Sequence, residues 1–104
     1  MYQFSGTFQN DGIYFVGVTW CGHCQRAKPL MEELSRELGT ALPVYHVDGD
    51  KWQTHLKRHF GQNAPKSYPT IYYVSSNGSR VVVFNDERTL SNLRDFACDM
   101  SGSC

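Results

Sequence analysis

Residues 13–24 read Ile13-Tyr14-Phe15-Val16-Gly17-Val18-Thr19-Trp20-Cys21-Gly22-His23-Cys24, an apolar run that breaks into a pair of cysteines. Ile13 to Val18 is β-rich and shows no polar alternation, so it predicts a short strand covered on both faces. From Gly22 the spacing turns helical, with Ala27, Leu30, Met31, Leu34 and Leu38 on one stripe and Gly39 as a stop signal. Pro29 falls inside that helix, where it removes one backbone hydrogen bond and predicts a kink. The cysteines therefore stand just past the C-terminal end of a strand and at the start of a helix, where open α/β sheets place their sites.

Outward from this stretch, Pro43 to Val47 predicts a second strand, and Asp48-Gly49-Asp50 a turn and cap for a helix over residues 51–60. Two parallel strands joined by a helix need a right-handed crossover, so both are expected in one sheet. After a polar loop over residues 61–67, Thr70 to Val74 and Arg80 to Phe84 predict strands joined through Asn77-Gly78, a hairpin signal. Residues 87–100, with Leu90, Leu93 and Ala97 on one face, predict a terminal amphipathic helix before a loose tail over residues 101–104. The turn Asn10-Asp11-Gly12 precedes the first strand, and Met1 to Gly12 leaves room for no more than a trimmed edge or a small extra strand. The expected order is strand, helix, strand, helix, strand, strand, helix: an α/β sandwich of three layers with a central mixed sheet.

The whole chain has 104 residues, 40% hydrophobic and 19% charged, enough for one domain over residues 1–104. Ten basic and ten acidic residues cancel, which gives no electrostatic footprint for nucleic acid or an acidic membrane. No apolar run approaches the roughly 18 residues of a membrane span. The first residues carry neither a basic n-region nor an apolar h-region, so the expected location is cytoplasmic unless a leader was removed.

Cys21 sits beside the unpaired N–H groups and positive end of a helix, which favours the thiolate that attacks disulfides. Cys24 is one turn further on, within reach to close a disulfide after Cys21 has bonded to a substrate. His23, if protonated, would stabilise the thiolate further, and Gly22 keeps the approach clear of a side chain. Half of a zinc site has the same Cys-x-x-Cys spacing, but it needs two more ligands. Cys98 and Cys104 are badly spaced for that, and His55 and His59 lack an acidic or cysteine neighbour to complete a set. A structural disulfide between Cys21 and Cys24 is the third reading.

Trp20 to Cys24, Pro29, Tyr68-Pro69-Thr70 before a strand, the Asn77-Gly78 hairpin and Glu87 to Leu90 together resemble the thioredoxin superfamily. Within it, the pattern is most similar to a single catalytic domain of protein disulfide isomerases, over residues 13–98. The resemblance implies a thioredoxin-like fold, Cys21 as nucleophile, Cys24 as resolving cysteine, and Pro69 as a cis-proline facing both. It leaves the Tyr68 backbone to pair with an extended substrate chain. Arg88 resembles an arginine that approaches the resolving cysteine and lowers its pKa; read alone, it is a solvated arginine at a helix start. His23 stands where reductive thioredoxins carry proline, which implies a reduction potential near about −180 mV rather than about −270 mV. One departure stands out: the position of the family's buried acid, the proton acceptor for the resolving cysteine, is Phe15.

Of the other residues, Trp20 is expected at the surface, docking substrate, and Trp52 in the core. His55 and His59 read as solvated or capping side chains. Cys98 reads as a buried inert thiol, and Cys104 as a tail residue able to pair with Cys98, bridge to another chain or stay free. The expected activity is thiol–disulfide exchange on protein disulfides or dithiols by a monomer, with no organic cofactor and no metal. A separate reductase or oxidant would recycle the couple. The rivals are a non-catalytic binding or accessory module of the same fold and a glutathione-using glutaredoxin, against which the Trp-Cys-Gly-His-Cys motif argues.

Overall fold

The computed structural model describes residues 1–103. Strand β1 (Tyr2–Gln3) is followed by β2 (Gly12–Gly17), α1 (Gly22–Leu38), β3 (Val44–Asp48), α2 (Gln53–Phe60), β4 (Thr70–Ser75), β5 (Arg80–Val83) and α3 (Leu90–Ser101). The strands form one sheet in the order β1-β3-β2-β4-β5. β1 and β2 flank β3 in parallel, while β4 runs antiparallel to β2 and β5 antiparallel to β4. The mixed sheet with helices on both faces is thus present, and β1 is the small extra strand for which the first twelve residues left room.

β2 lies at the centre and is buried along its length, as its unbroken apolar composition requires. Its side chains alternate between two cores. Ile13 and Phe15 pack with Met31, Leu34, Ile71, Leu93 and Ala97 on the face carrying α1 and α3. Tyr14 and Val16 pack with Phe4, Phe8, Leu56, Phe60 and Tyr72 under α2. Each fully buried side chain of this size contributes about 1.5–3 kcal/mol, so the strand that leads toward the cysteines is firmly anchored in both cores.

Two helix starts differ from the sequence reading. The Asp48 carboxylate accepts from the backbone N–H groups of Asp50 and Lys51 and holds a turn of its own, so α2 begins at Gln53 rather than Lys51. The last helix begins at Leu90, not Glu87, because Thr89 is its cap: Thr89 Oγ1 accepts from the Asn92 N–H at 3.1 Å. Helix α1 runs through Pro29, which faces outward. The β4–β5 hairpin turns through Ser76 and Asn77, both at positive φ, ahead of Gly78.

Trp52 is half-buried against the α2-side core, edge-on to Phe4, at the position before α2 rather than on it. His59 stacks on Phe8 with centroids 4.6 Å apart, and its Nε2 lies 2.8 Å from the Gly78 carbonyl, tying α2 to the hairpin. His55 sits edge-on to Trp52. Cys98 is not the inert free thiol expected, since it is half-buried and engaged in a disulfide. The readings of Cys104 lie outside the described residues.

Candidate active site

Cys21 caps α1. Its backbone is extended, and its Sγ accepts from the Cys24 N–H at 3.1 Å, the role a serine or aspartate oxygen fills at most helix starts. The same Sγ donates its proton to the Tyr68 carbonyl, 3.5 Å away. Desolvation pushes this thiol up. Hydrogen bonds from the Cys24 side chain and from the backbone N–H groups of Cys24 and His23, with the Arg26 charge, outweigh it and hold Cys21 below the usual thiol range. Cys24 goes the other way: burial first, then its hydrogen bond to Cys21 and the Cys21 charge, push it up to about 11 against opposing contributions from the Val18 backbone and Arg88. The two sulfurs are therefore an unequal pair, one with its pKa lowered and the other with its pKa raised, an asymmetry suited to attack followed by resolution.

His23 contributes differently from the expectation. Its ring is exposed, and its Nδ1 lies 2.8 Å from the Arg26 guanidinium, which can only donate. In this arrangement Nδ1 accepts, the positive charge acting on Cys21 belongs to Arg26, and His23 acts through its backbone N–H. Arg26 escaped the sequence reading, although the signal was present: it stands three residues after His23 on one helix face. Gly22 opens α1, and a Cβ there would come within 3.4 Å of the Arg26 guanidinium.

The Tyr68-Pro69 bond is cis, as the resemblance implied. Pro69 is buried, and Tyr68 packs against Val18, Cys21 and Cys24. The Tyr68 ring lies over Gly49, where a Cβ would stand only 2.7 Å from it. Trp20 is 70% exposed, at the surface as expected. It is not loose: its indole donates to Asp50 at 3.0 Å and its ring meets Tyr68 edge-on at 6.0 Å. Trp20 and Tyr68 are thus brought together beside Cys21, with Pro69 next to Tyr68 in the chain.

Arg88 is exposed and shares a hollow of about 390 Å³ with His23 and Arg26. Its charge acts favourably on the Cys24 thiolate, in the direction the resemblance implied. Phe15 is buried, and its ring edge and the Cys24 sulfur both border Gly17. Among the described residues, no cluster of three or more His, Cys, Asp or Glu side chains is placed to hold a metal ion.

The family model Thioredoxin matches residues 10–99. Relatives include protein disulfide-isomerase A6 of Homo sapiens, 32% identical over 104 aligned positions that take in 90% of this chain and 23% of the relative. Protein disulfide isomerase-like 1-3 of Oryza sativa subsp. japonica is 32% identical over 84 positions, 81% of this chain and 14% of the relative. This chain thus spans less than a quarter of either relative. Among solved structures, the J-Trx1 fragment of ERdj5 superposes with a TM-score of 0.79 at 20% identity, over 98% of this chain and 52% of that one. The first thioredoxin domain of mouse protein disulfide-isomerase A4 gives 0.70 at 20% identity, over 89% and 64%. With its sheet order, its cysteine-capped helix and a family match over nearly its whole length, the chain belongs to the thioredoxin family.

Proposed function

We propose that this chain is a thiol–disulfide oxidoreductase acting on protein disulfides and dithiols through the Cys21–Cys24 couple. The observation that carries the reading is the unequal pair: Cys21 accepts the Cys24 N–H at a helix start and is held below the usual thiol range, while Cys24 is pushed up to about 11. In the reducing direction the Cys21 thiolate attacks a substrate disulfide, forming a mixed disulfide and releasing one substrate thiolate. Cys24 then loses its proton and attacks Cys21, closing the Cys21–Cys24 bond and releasing the second thiolate. The substrate gains two electrons and the cysteine pair loses two. Run backward, the same steps oxidise a dithiol.

Stabilising the reduced form makes a disulfide more oxidising, so the hydrogen bonds and the charge on the Cys21 thiolate favour the isomerase end of the scale. Equilibration in glutathione redox buffers, with thiol content followed by mass spectrometry, tests this. A potential near about −180 mV supports an oxidant or isomerase, and one near about −270 mV a reductant kept reduced by a recycling enzyme in a cytoplasmic setting. The absence of a reversible two-thiol couple would overturn catalysis in favour of a binding module.

A further inference from the structure

The resolving step asks for a proton acceptor at Cys24, and Phe15 cannot be one. A hollow of about 310 Å³ opens beside Cys24, lined by Gly17, Val18, Thr19, Gln25, Lys28, His46 and Asp48 as well as the cysteine. It is far larger than the roughly 10–15 Å³ of probe-occupied space that one water needs, and its largely apolar wall offers polar partners at Thr19, Gln25, His46 and Asp48. Besides Cys24, three side chains in that wall can carry charge. Lys28 as ammonium has no lone pair to offer. Asp48 is engaged through Oδ1 by two backbone N–H groups that hold the turn after β3. His46 is the acceptor whose ring is fixed beside Phe15.

We propose that His46 receives the Cys24 proton, by way of a water in this hollow, when Cys24 attacks the mixed disulfide. The proposal rests on the exchange reading above. His46 is the β3 residue in register with Phe15 on β2, and its ring stacks on the Phe15 ring, centroids 5.5 Å apart and 28° between planes. Phe15 is thus a platform that fixes the orientation of the imidazole. Gly17, two residues on, has no side chain, and a Cβ there would stand 3.3 Å from the Cys24 sulfur. The absence of a side chain keeps that flank of Cys24 clear.

The groups facing His46 are Lys28 and Cys24 from α1, Asp48 from its own strand, Phe15 from β2 and, opposite in register on β1, the uncharged Gln3. Burial first, then Lys28, push its pKa below the usual histidine value, against Asp48. The ring is therefore mostly neutral near pH 7, with one nitrogen free to accept. In the step, Cys24 gives its proton to the water, the water gives one of its own to His46, and the sulfur lone pair forms the bond to Cys21. The bond from Cys21 to the substrate sulfur breaks, and that sulfur leaves as thiolate. Both cysteines end oxidised, the substrate ends reduced, and His46 later returns its proton to solvent.

The test is stopped-flow mixing of the reduced chain with an excess of an aromatic disulfide that releases a coloured thiol. Attack by Cys21 gives a concentration-dependent phase, and displacement by Cys24 a concentration-independent one. The expected rate of the second phase rises through an ionisation below the usual histidine value, matching the His46 titration followed by ring-proton NMR. His46→Gln should slow this phase about tenfold or more near pH 7 and remove that ionisation, with the first phase unchanged. Lys28→Gln should move the ionisation to higher pH. A second phase with unaltered rate and pH profile in His46→Gln overturns the proposal. If that variant does not fold, the wild-type profile decides: an ionisation matching His46 supports the proposal, and its absence overturns it. A wild-type chain with no concentration-independent phase overturns the exchange reading itself, a distinct outcome.

Discussion

The backbone N–H of Cys24 donates to the Sγ of Cys21 across 3.1 Å, a hydrogen bond that favours the charged form of the Cys21 sulfur. This places the two thiols on opposite sides of their ordinary value, one lowered and the other raised to about 11. Alkylation with iodoacetamide near pH 7 should therefore modify Cys21 and leave Cys24 untouched, read by peptide mass spectrometry. Because a raised pKa keeps the thiol protonated until the pH climbs through it, Cys24 should begin to react only in strong alkali. Modification of Cys24 first, or of both at equal rates, would contradict the assignment of roles.

Arg26, not the His23 ring, carries the positive charge at the nucleophile. Arg26→Gln removes a contribution that lowers the Cys21 pKa, so the thiolate fraction at mildly acid pH should fall. The expected loss in alkylation rate is about two- to threefold, the scale of a solvent-screened charge, and it should shrink as salt is added. His23→Gln, which keeps the backbone N–H on Cys21, should change the rate less. The reverse ranking would return the electrostatic role to the imidazole.

Gly49 and Tyr68 form a contact that no short motif encodes. A Cβ at Gly49 would lie 2.7 Å from the Tyr68 ring, so Gly49→Ala must displace the side chain that joins Trp20 to the cysteines. Overpacking of this kind costs about 1–3 kcal/mol. The expected result is a Tm lower by several degrees, at about 4–8 °C per kcal/mol for a domain of this size. In a Tyr68→Ala background the same change should cost little, since the ring it collides with is gone. Equal losses in both backgrounds would place the cost in the Gly49 backbone instead.

These contacts show where a sequence stops speaking. The strand, the cysteine turn and the helix after it lie within 26 consecutive residues, Ile13 to Leu38, and their periodicity is local, so they were legible. The cis bond at Pro69 was legible only through resemblance, because most bonds preceding proline are trans. Phe15 read as a gap in the family pattern. Its partner His46 is 31 positions away and meets it only through the parallel register of two strands, which no local pattern fixes. The start of α2 was misread for a smaller reason: Asp48 spends its carboxylate on its own turn and not on the helix.

His59 binds the Gly78 carbonyl and stacks on Phe8, a structural tie far from the cysteines. His59→Ala should lower stability by about 1 kcal/mol, the scale of one hydrogen bond, while the rate of Cys21 alkylation stays unchanged. Urea unfolding with the m-value monitored checks this. A loss of exchange rate without a loss of stability would point to a role for this histidine that its contacts do not suggest.

Arg88 stands on the solvent side of the same cysteine that His46 approaches from the hollow. Its charge lowers the Cys24 pKa but ranks last among the contributions to it, and the side chain is exposed. Arg88→Ala should therefore raise the Cys24 pKa slightly further and slow the concentration-independent phase by about two- to threefold, with the effect fading at high salt. The pH profile should keep its lower ionisation, because removing a distant charge leaves the proton acceptor in place. That separates the two residues: one change scales the rate, the other alters its shape with pH. If Arg88→Ala instead abolished the phase at every ionic strength, the guanidinium would have to move into contact with Cys24 during resolution, and cross-linking an Arg88→Cys variant to Cys24 would capture that approach.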